Sequence, residues 1–148
     1  MFDRALVLNP NLAAAWFLSG FLRVWHGEPD SAIAYFGRPL RQSPLDAETY
    51  RMQAGMAVAH LFAVRFDTAS SWAEKAFRDL PSFLMVVSII AASHALAGRI
   101  DEGRRAMDHL RQLDPALRIS NLRDWLPIHR PEDLATFSDG LRRAGLPE

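Results

Sequence analysis

The stretch that decides the fold is LNPNLAAAWFLSG, residues 8–20, which joins an Asn-Pro to an alanine-rich helical run carrying Trp16 and, four residues on, Gly20. The same punctuation returns as SPLDAETYRMQAG from Ser43, LPSFLMVVSIIAA from Leu80 and DPALRISNLRDWL from Asp114. The prolines Pro10, Pro44, Pro81 and Pro115 lie 34, 37 and 34 residues apart, so the chain is an internal repeat.

Each period holds two helices. After Trp16 and Gly20 comes a break at Gly27, Glu28, Pro29 and Asp30, then Ala32, Phe36 four residues later, and the closing Pro44. Spacings of three and four keep these residues on one helix face. The large aromatic fills the space between the paired helices, and the small Gly20 and Ala32 let their backbones approach.

The pattern resembles the tetratricopeptide (TPR) repeat family, whose period is about 34 with Trp, Gly, Ala, Phe and Pro at set offsets. The resemblance implies an all-α, right-handed α-solenoid of antiparallel helix pairs with a C-terminal capping helix. Residues 1–148 form a single domain: 1–12 the second helix of a truncated repeat, 13–46, 47–83 and 84–117 three repeats, and 118–148 the capping segment. In the first repeat Ser19 and Arg23 replace the family's Leu and Tyr; in the third, Val87 and Gly103 hold the aromatic and alanine places. The second opens on Tyr50 and closes with Ala69, Ala76 and Pro81. Its turn at Val64, Arg65, Phe66 and Asp67 is in register with Pro81, so its three extra residues belong in its first helix, expected to be nearly one turn longer than its neighbours.

Phe2, Leu6 and Leu8 belong to half a helix pair, an apolar edge that predicts either a preceding part of a longer protein or burial against a partner. At the other end, residues 121–126 read as a short helix, residues 127–130 as a break, and the last helix carries Leu134, Phe137 and Leu141 on one face. The tail RPEDLATFSDGLRRAGLPE, residues 130–148, resembles the C-terminus of bacterial proteins in which a class III adenylate/guanylate cyclase or winged-helix domain precedes TPR repeats. That resemblance implies a sensory or assembly arm. Sixteen arginines against the single Lys75 point to a GC-rich bacterial genome.

Composition narrows the function classes. At 148 residues and 49% hydrophobic the chain can bury a core. Lys+Arg 17 balances Asp+Glu 17, which argues against nucleic acid or an acidic membrane as partner. Without cysteine there is no disulfide framework, thiolate metal site or thiol nucleophile, a composition compatible with the cytoplasm. Residues 80–98 carry no charge, but Pro81, Ser82, Ser88, Ser93 and His94 and the repeat register make this a buried solenoid helix and not a membrane span.

No chemistry is signalled. His26, His60, His94, His109 and His129 form no spaced pair with a carboxylate on one helix face, and there is no phosphate loop or nucleophile elbow. Asp101-Glu102 and Glu132-Asp133 begin helices, where acids complement the helix dipole. No catalytic residue, cofactor or metal is expected, and the chain is read as a non-enzyme.

In TPR solenoids the first helix of each pair lines an inner groove. Carried over by register, the resemblance places Ala14, Phe17, Phe21, Val24 and Trp25 there from the first repeat, Glu48, Arg51, Gly55, Val58 and Ala59 from the second, and Met85, Ser88, Ala92 and Ala95 from the third. This apolar groove lacks the lysines and asparagines of chaperone-tail receptors. It fits a protein or peptide partner, or is packed under a missing N-terminal helix, the C-terminal helix folded back, or a second copy. Two functions follow: a non-catalytic interaction module, the regulatory TPR arm of a class III nucleotidyl cyclase or related signalling protein, or a free-standing adaptor that self-associates through its N-terminal edge.

Overall fold

The computed structural model describes residues 13–42 and 49–148, and its regular elements are all helical. They are α1 (Ala13–Trp25), α2 (Pro29–Gln42), α3 (Thr49–Phe62), α4 (Phe66–Asp79), α5 (Leu84–Leu96), α6 (Ile100–Leu113), a 3-10 turn (Ile119–Asn121), α7 (Leu122–Trp125) and α8 (Pro131–Ala144). Each of α1 to α5 packs on the next, and the first helices of the pairs also touch, α1 on α3 and α3 on α5. This is the repeating two-helix stack expected from the proline spacing.

One turn geometry, used three times, makes the pairs. The amides of Glu28, Arg65 and Arg99 donate to the carbonyls of Arg23, His60 and His94 at 2.9, 2.9 and 2.8 Å. One residue earlier, Gly27, Val64 and Gly98 donate to Val24, Leu61 and Ala95. This double closure puts the residue after the helix in the left-handed region. Accordingly Gly27, Val64 and Gly98 have φ of +83°, +64° and +90°. Only Val64 is not glycine, and a β-branched side chain is strained there.

Burial separates two kinds of helix. α3 and α5 are buried around most of their surface, including Met52, Ala57, Val58 and Leu61 on one and Val86, Val87, Ile89 and Ala92 on the other. α4 and α6 bury single stripes, Ala69, Ala73 and Ala76 on one and Gly103, Met107 and Leu110 on the other. An all-round apolar helix is a central one, and a striped helix covers it. Phe36 locks the first two pairs together: a Cβ added to Gly20 or to Gly55 would come within 2.6 or 2.5 Å of its ring. Its side chain is fully buried, wedged between α1 and α3.

α3 is described from Thr49, at the edge of the described residues, with 14 residues against 13 in α1 and α5, so the extra turn expected at its start lies outside them. Phe2, Leu6, Leu8, Pro10, Pro44 and Glu48 lie outside the described residues, as do the side chains of Ala14 and Trp16.

Candidate functional site

The inner face is built from the first helices, α1, α3 and α5. On α1 the rings of Phe17, Phe21 and Trp25 form a continuous run, with centroids 4.8 and 5.5 Å apart, and Trp25 meets Phe62 of α3 at 6.2 Å. The contact between Trp25 and Phe62 corrects the register of the second repeat. Counted from the left-handed turn residues Gly27 and Val64, Trp25 corresponds to Phe62. By the same count Arg51, Ala54 and Val58 of α3 correspond to Ala14, Phe17 and Phe21 of α1. Gly55 belongs elsewhere, because it faces Phe36 of α2; Ala59, one turn on, shares that side.

The predicted groove residues divide into two groups. Phe21, Val24, Val58 and Ser88 are buried within this chain. Phe21 places its ring edge on Phe36, 5.0 Å away, and the Ser88 hydroxyl is turned back to the Met85 carbonyl at 2.6 Å. They are core residues as much as lining. Phe17, Trp25 and Met85 are half-buried and Arg51 is exposed, its guanidinium 5.9 Å from the Phe17 ring centre.

The C-terminal segment covers part of this face. After α7 the chain runs extended to the first repeat, where the His129 amide donates to the Trp25 carbonyl at 3.2 Å and Arg130 donates to the Gly27 carbonyl at 3.3 Å. The His26 and His129 rings stack at 4.4 Å. α8 then returns along α5, with further contacts to α3 and α6. A Cβ on Gly140 would lie 2.8 Å from the Cβ of Ala92, so glycine permits the close approach. Phe137 and Leu141 are fully buried, and Phe137 stacks on Trp125. The amides of Ile119 and Ser120 donate to the carbonyls of Pro147 and Glu148, tying the end of the chain to the 3-10 turn. Ala92, a predicted groove position, is thus under the chain's own last helix.

Asp133, in the first turn of α8, is 5% exposed, and its Oδ2 has no hydrogen-bond partner among the described residues. Burial pushes its carboxyl above the usual range, and Glu132 adds to this while Arg130 opposes it.

A repeated cluster escaped the sequence reading. Arg65 donates from Nε to His60 Nδ1 at 2.9 Å and pairs with Asp30 of the preceding repeat at 2.9 Å. Arg99 donates likewise to His94 Nδ1 at 2.8 Å and pairs with Asp67 at 2.7 Å. Each arginine pins its own repeat's helix end to the previous repeat. The signal was present as HLFAVRFD at 60–67 and HALAGRID at 94–101. Burial holds His60 below the ordinary histidine value, Arg65 adds to this, and Asp30 opposes it. His94 bridges three helices, with Nε2 2.8 Å from Glu74 and Nδ1 3.1 Å from Glu102. Since Nδ1 cannot accept from Arg99 and donate to Glu102 at once, we assign the ring proton to Nε2, where it donates to Glu74. Beside it, a cleft of about 370 Å³ opens between α4, α5 and α6, floored by Phe77, Val87 and Ile90. No three His, Cys, Asp or Glu among the described residues converge to hold a metal ion, and no helix among them is long and apolar enough to cross a membrane.

The fold is a TPR-type α-solenoid. It is similar to two solved TPR-repeat proteins. One is PilW, described as a widely conserved type IV pilus biogenesis factor, with a TM-score of 0.72 and 18% identity over 97% of this chain. The chain spans 62% of the length of PilW. The other is MamA, with a TM-score of 0.70 and 16% identity, covering 96% of this chain and 84% of MamA. No protein-family model and no characterised protein matches the chain in sequence.

Proposed function

We propose that the chain is a non-catalytic protein-interaction module that binds a protein or peptide on its inner face. The observation that carries this reading is the set Phe17, Trp25, Arg51 and Met85, partly or fully exposed on three adjacent helices beside the segment covered by α8. Apolar and aromatic surface with a cation at its edge is the composition of an interaction hot spot. Incorporating a photo-crosslinking residue at Met85, and as a control at Lys75 on α4, tests it in cells. A discrete adduct from position 85 that is absent from position 75, and is lost with Phe17→Ala, is the expected result. Equal adducts from both positions would refute the inner face as the site.

The setting supported by the tail, residues 130–148, is the regulatory arm of a bacterial class III nucleotidyl cyclase or related signalling protein, and the cysteine-free composition supports the cytoplasm. The full-length open reading frame tests this: a cyclase or winged-helix domain upstream supports it, and an unrelated upstream domain removes it. A second reading, self-association through the N-terminal edge, draws support from Leu18 and Leu22, which are 43% and 48% exposed one turn apart on α1. Leu18→Glu with Leu22→Glu should then abolish any dimer seen by sedimentation.

A further inference from the structure

We infer that the surface under α8 is a docking site for a partner's amphipathic helix of α8's own pattern, with α8 as its displaceable occupant. This rests on the interaction-module reading and names the partner's chemistry: bulky apolar residues where Phe137 and Leu141 sit, glycine in place of Gly140, and an uncharged residue in place of Asp133.

Three observations carry it. First, α8 is seated on α5 and so supplies the template for what fits: Gly140 at Ala92, where any Cβ would meet the Ala92 Cβ at 2.8 Å and its carbonyl at 2.9 Å. Second, α8 is an imperfect guest. Its docking leaves the Asp133 carboxylate buried with an unpartnered Oδ2 among the described residues, a cost that a neutral side chain avoids. Its sequence also holds glycine, serine and threonine in mid-helix, so a helix of 14 residues like this depends on docking for its stability. Third, the strap leading to it, apart from the buried Ile128, is joined to the first repeat by few polar contacts. At the first repeat the bonds are the 3.2 Å His129 amide to Trp25 and the 3.3 Å Arg130 to Gly27, the second between exposed groups, with the His26–His129 stack beside them. The hold of α8 therefore rests on apolar burial and on the bonds of Pro147 and Glu148 to the 3-10 turn, which a better-fitting helix can compete with.

The probe is a fluorescein-labelled peptide of residues 126–148 carrying Asp133→Asn, titrated by anisotropy into the full 148-residue chain. Saturable binding is expected, at least tenfold tighter to a Gly140→Leu chain whose own α8 is expelled, and abolished when the peptide itself carries Gly140→Leu. Absence of peptide binding to a Gly140→Leu chain that remains helical by circular dichroism overturns the inference. Should Gly140→Leu fail to fold, hydrogen exchange on the unmodified chain decides. α8 amides exchanging at least tenfold faster than those of α5 support the inference, and exchange of both only through global unfolding overturns it. Loss of peptide binding with the position-85 crosslink retained strikes this inference alone. Peptide binding without that crosslink strikes the broader reading alone.

Discussion

Gly140 of α8 rests on Ala92 of α5, while on the next residue round the same helix Gly103 of α6 rests on Ala91, where a Cβ would come 3.0 Å from the carbonyl oxygen. Small residues thus bring α5 close to neighbours on two sides. The two contacts differ in consequence, because α6 belongs to the repeat stack and α8 is appended to it. Ala92→Leu should undock α8 and cost about 1–3 kcal/mol by overpacking. Circular dichroism should show the loss of one helix with the main unfolding transition kept. Ala91→Leu should lower that main transition itself.

Phe36 fills the junction between Gly20 and Gly55, and Phe36→Ala should destabilise by about 3–5 kcal/mol in urea unfolding. Phe21, 8% exposed with its ring edge on Phe36, belongs to the same cluster, so Phe21→Ala should also lower stability and is a poor probe of binding. Phe17→Ala should leave the melting temperature much less changed.

Val64 is the one described non-glycine residue with positive φ, at a turn where the other two repeats use glycine, and its side chain is 63% exposed. Val64→Gly relieves the strain and loses little burial. The expected gain is about 1 kcal/mol, less the entropy that glycine adds to the unfolded chain. A fall in melting temperature would contradict the strain assignment.

Burial, with Arg65 adding to it, lowers the folded pKa of His60 below the unfolded 6.5. Between those values the unfolded chain binds the proton and the folded chain does not, so stability rises with pH. The His60 contribution should be complete above about pH 6.5 and decline as pH falls through the lower folded value. His60→Gln should remove that part of the pH dependence, read as urea midpoints from pH 7 downward.

Asp133 works in the opposite sense. Its folded pKa is raised above 3.8, so its ionised form is disfavoured in the fold and the cost is present above the folded pKa. Asp133→Asn should raise the melting temperature at pH 7 and make no difference below pH 3.8.

The helix pairs, their order, the three turns and the closing helix were all legible in the sequence, because each is written in local chemistry. Glycine at Gly27 and Gly98 answers a left-handed backbone, Pro131 opens a helix, and apolar residues three and four apart mark a buried stripe. The cluster of His60, Arg65 and Asp30 was also written there, as a period shared with His94, Arg99 and Asp67, though its acidic partner comes from the preceding repeat. Gly55 was read as a groove position, but it faces Phe36, because the second repeat is three residues longer and its backbone closes the turn at Val64.

What the sequence by itself determined, then, is which residues share a helix face, since helical periodicity is a property of the chain alone. What covers each face was decided only by the tertiary structure. Phe17, Phe21 and Trp25 form one stripe in any straight helix, yet Phe21 is sealed by Phe36 while Phe17 and Trp25 stay partly open. Likewise Ala92 was placed on the inner face by register, but only the tertiary structure shows Gly140 of α8 lying against it. Such contacts join residues tens of positions apart, and their energy depends on whether two surfaces fit, which the spacing of apolar residues along one helix does not specify.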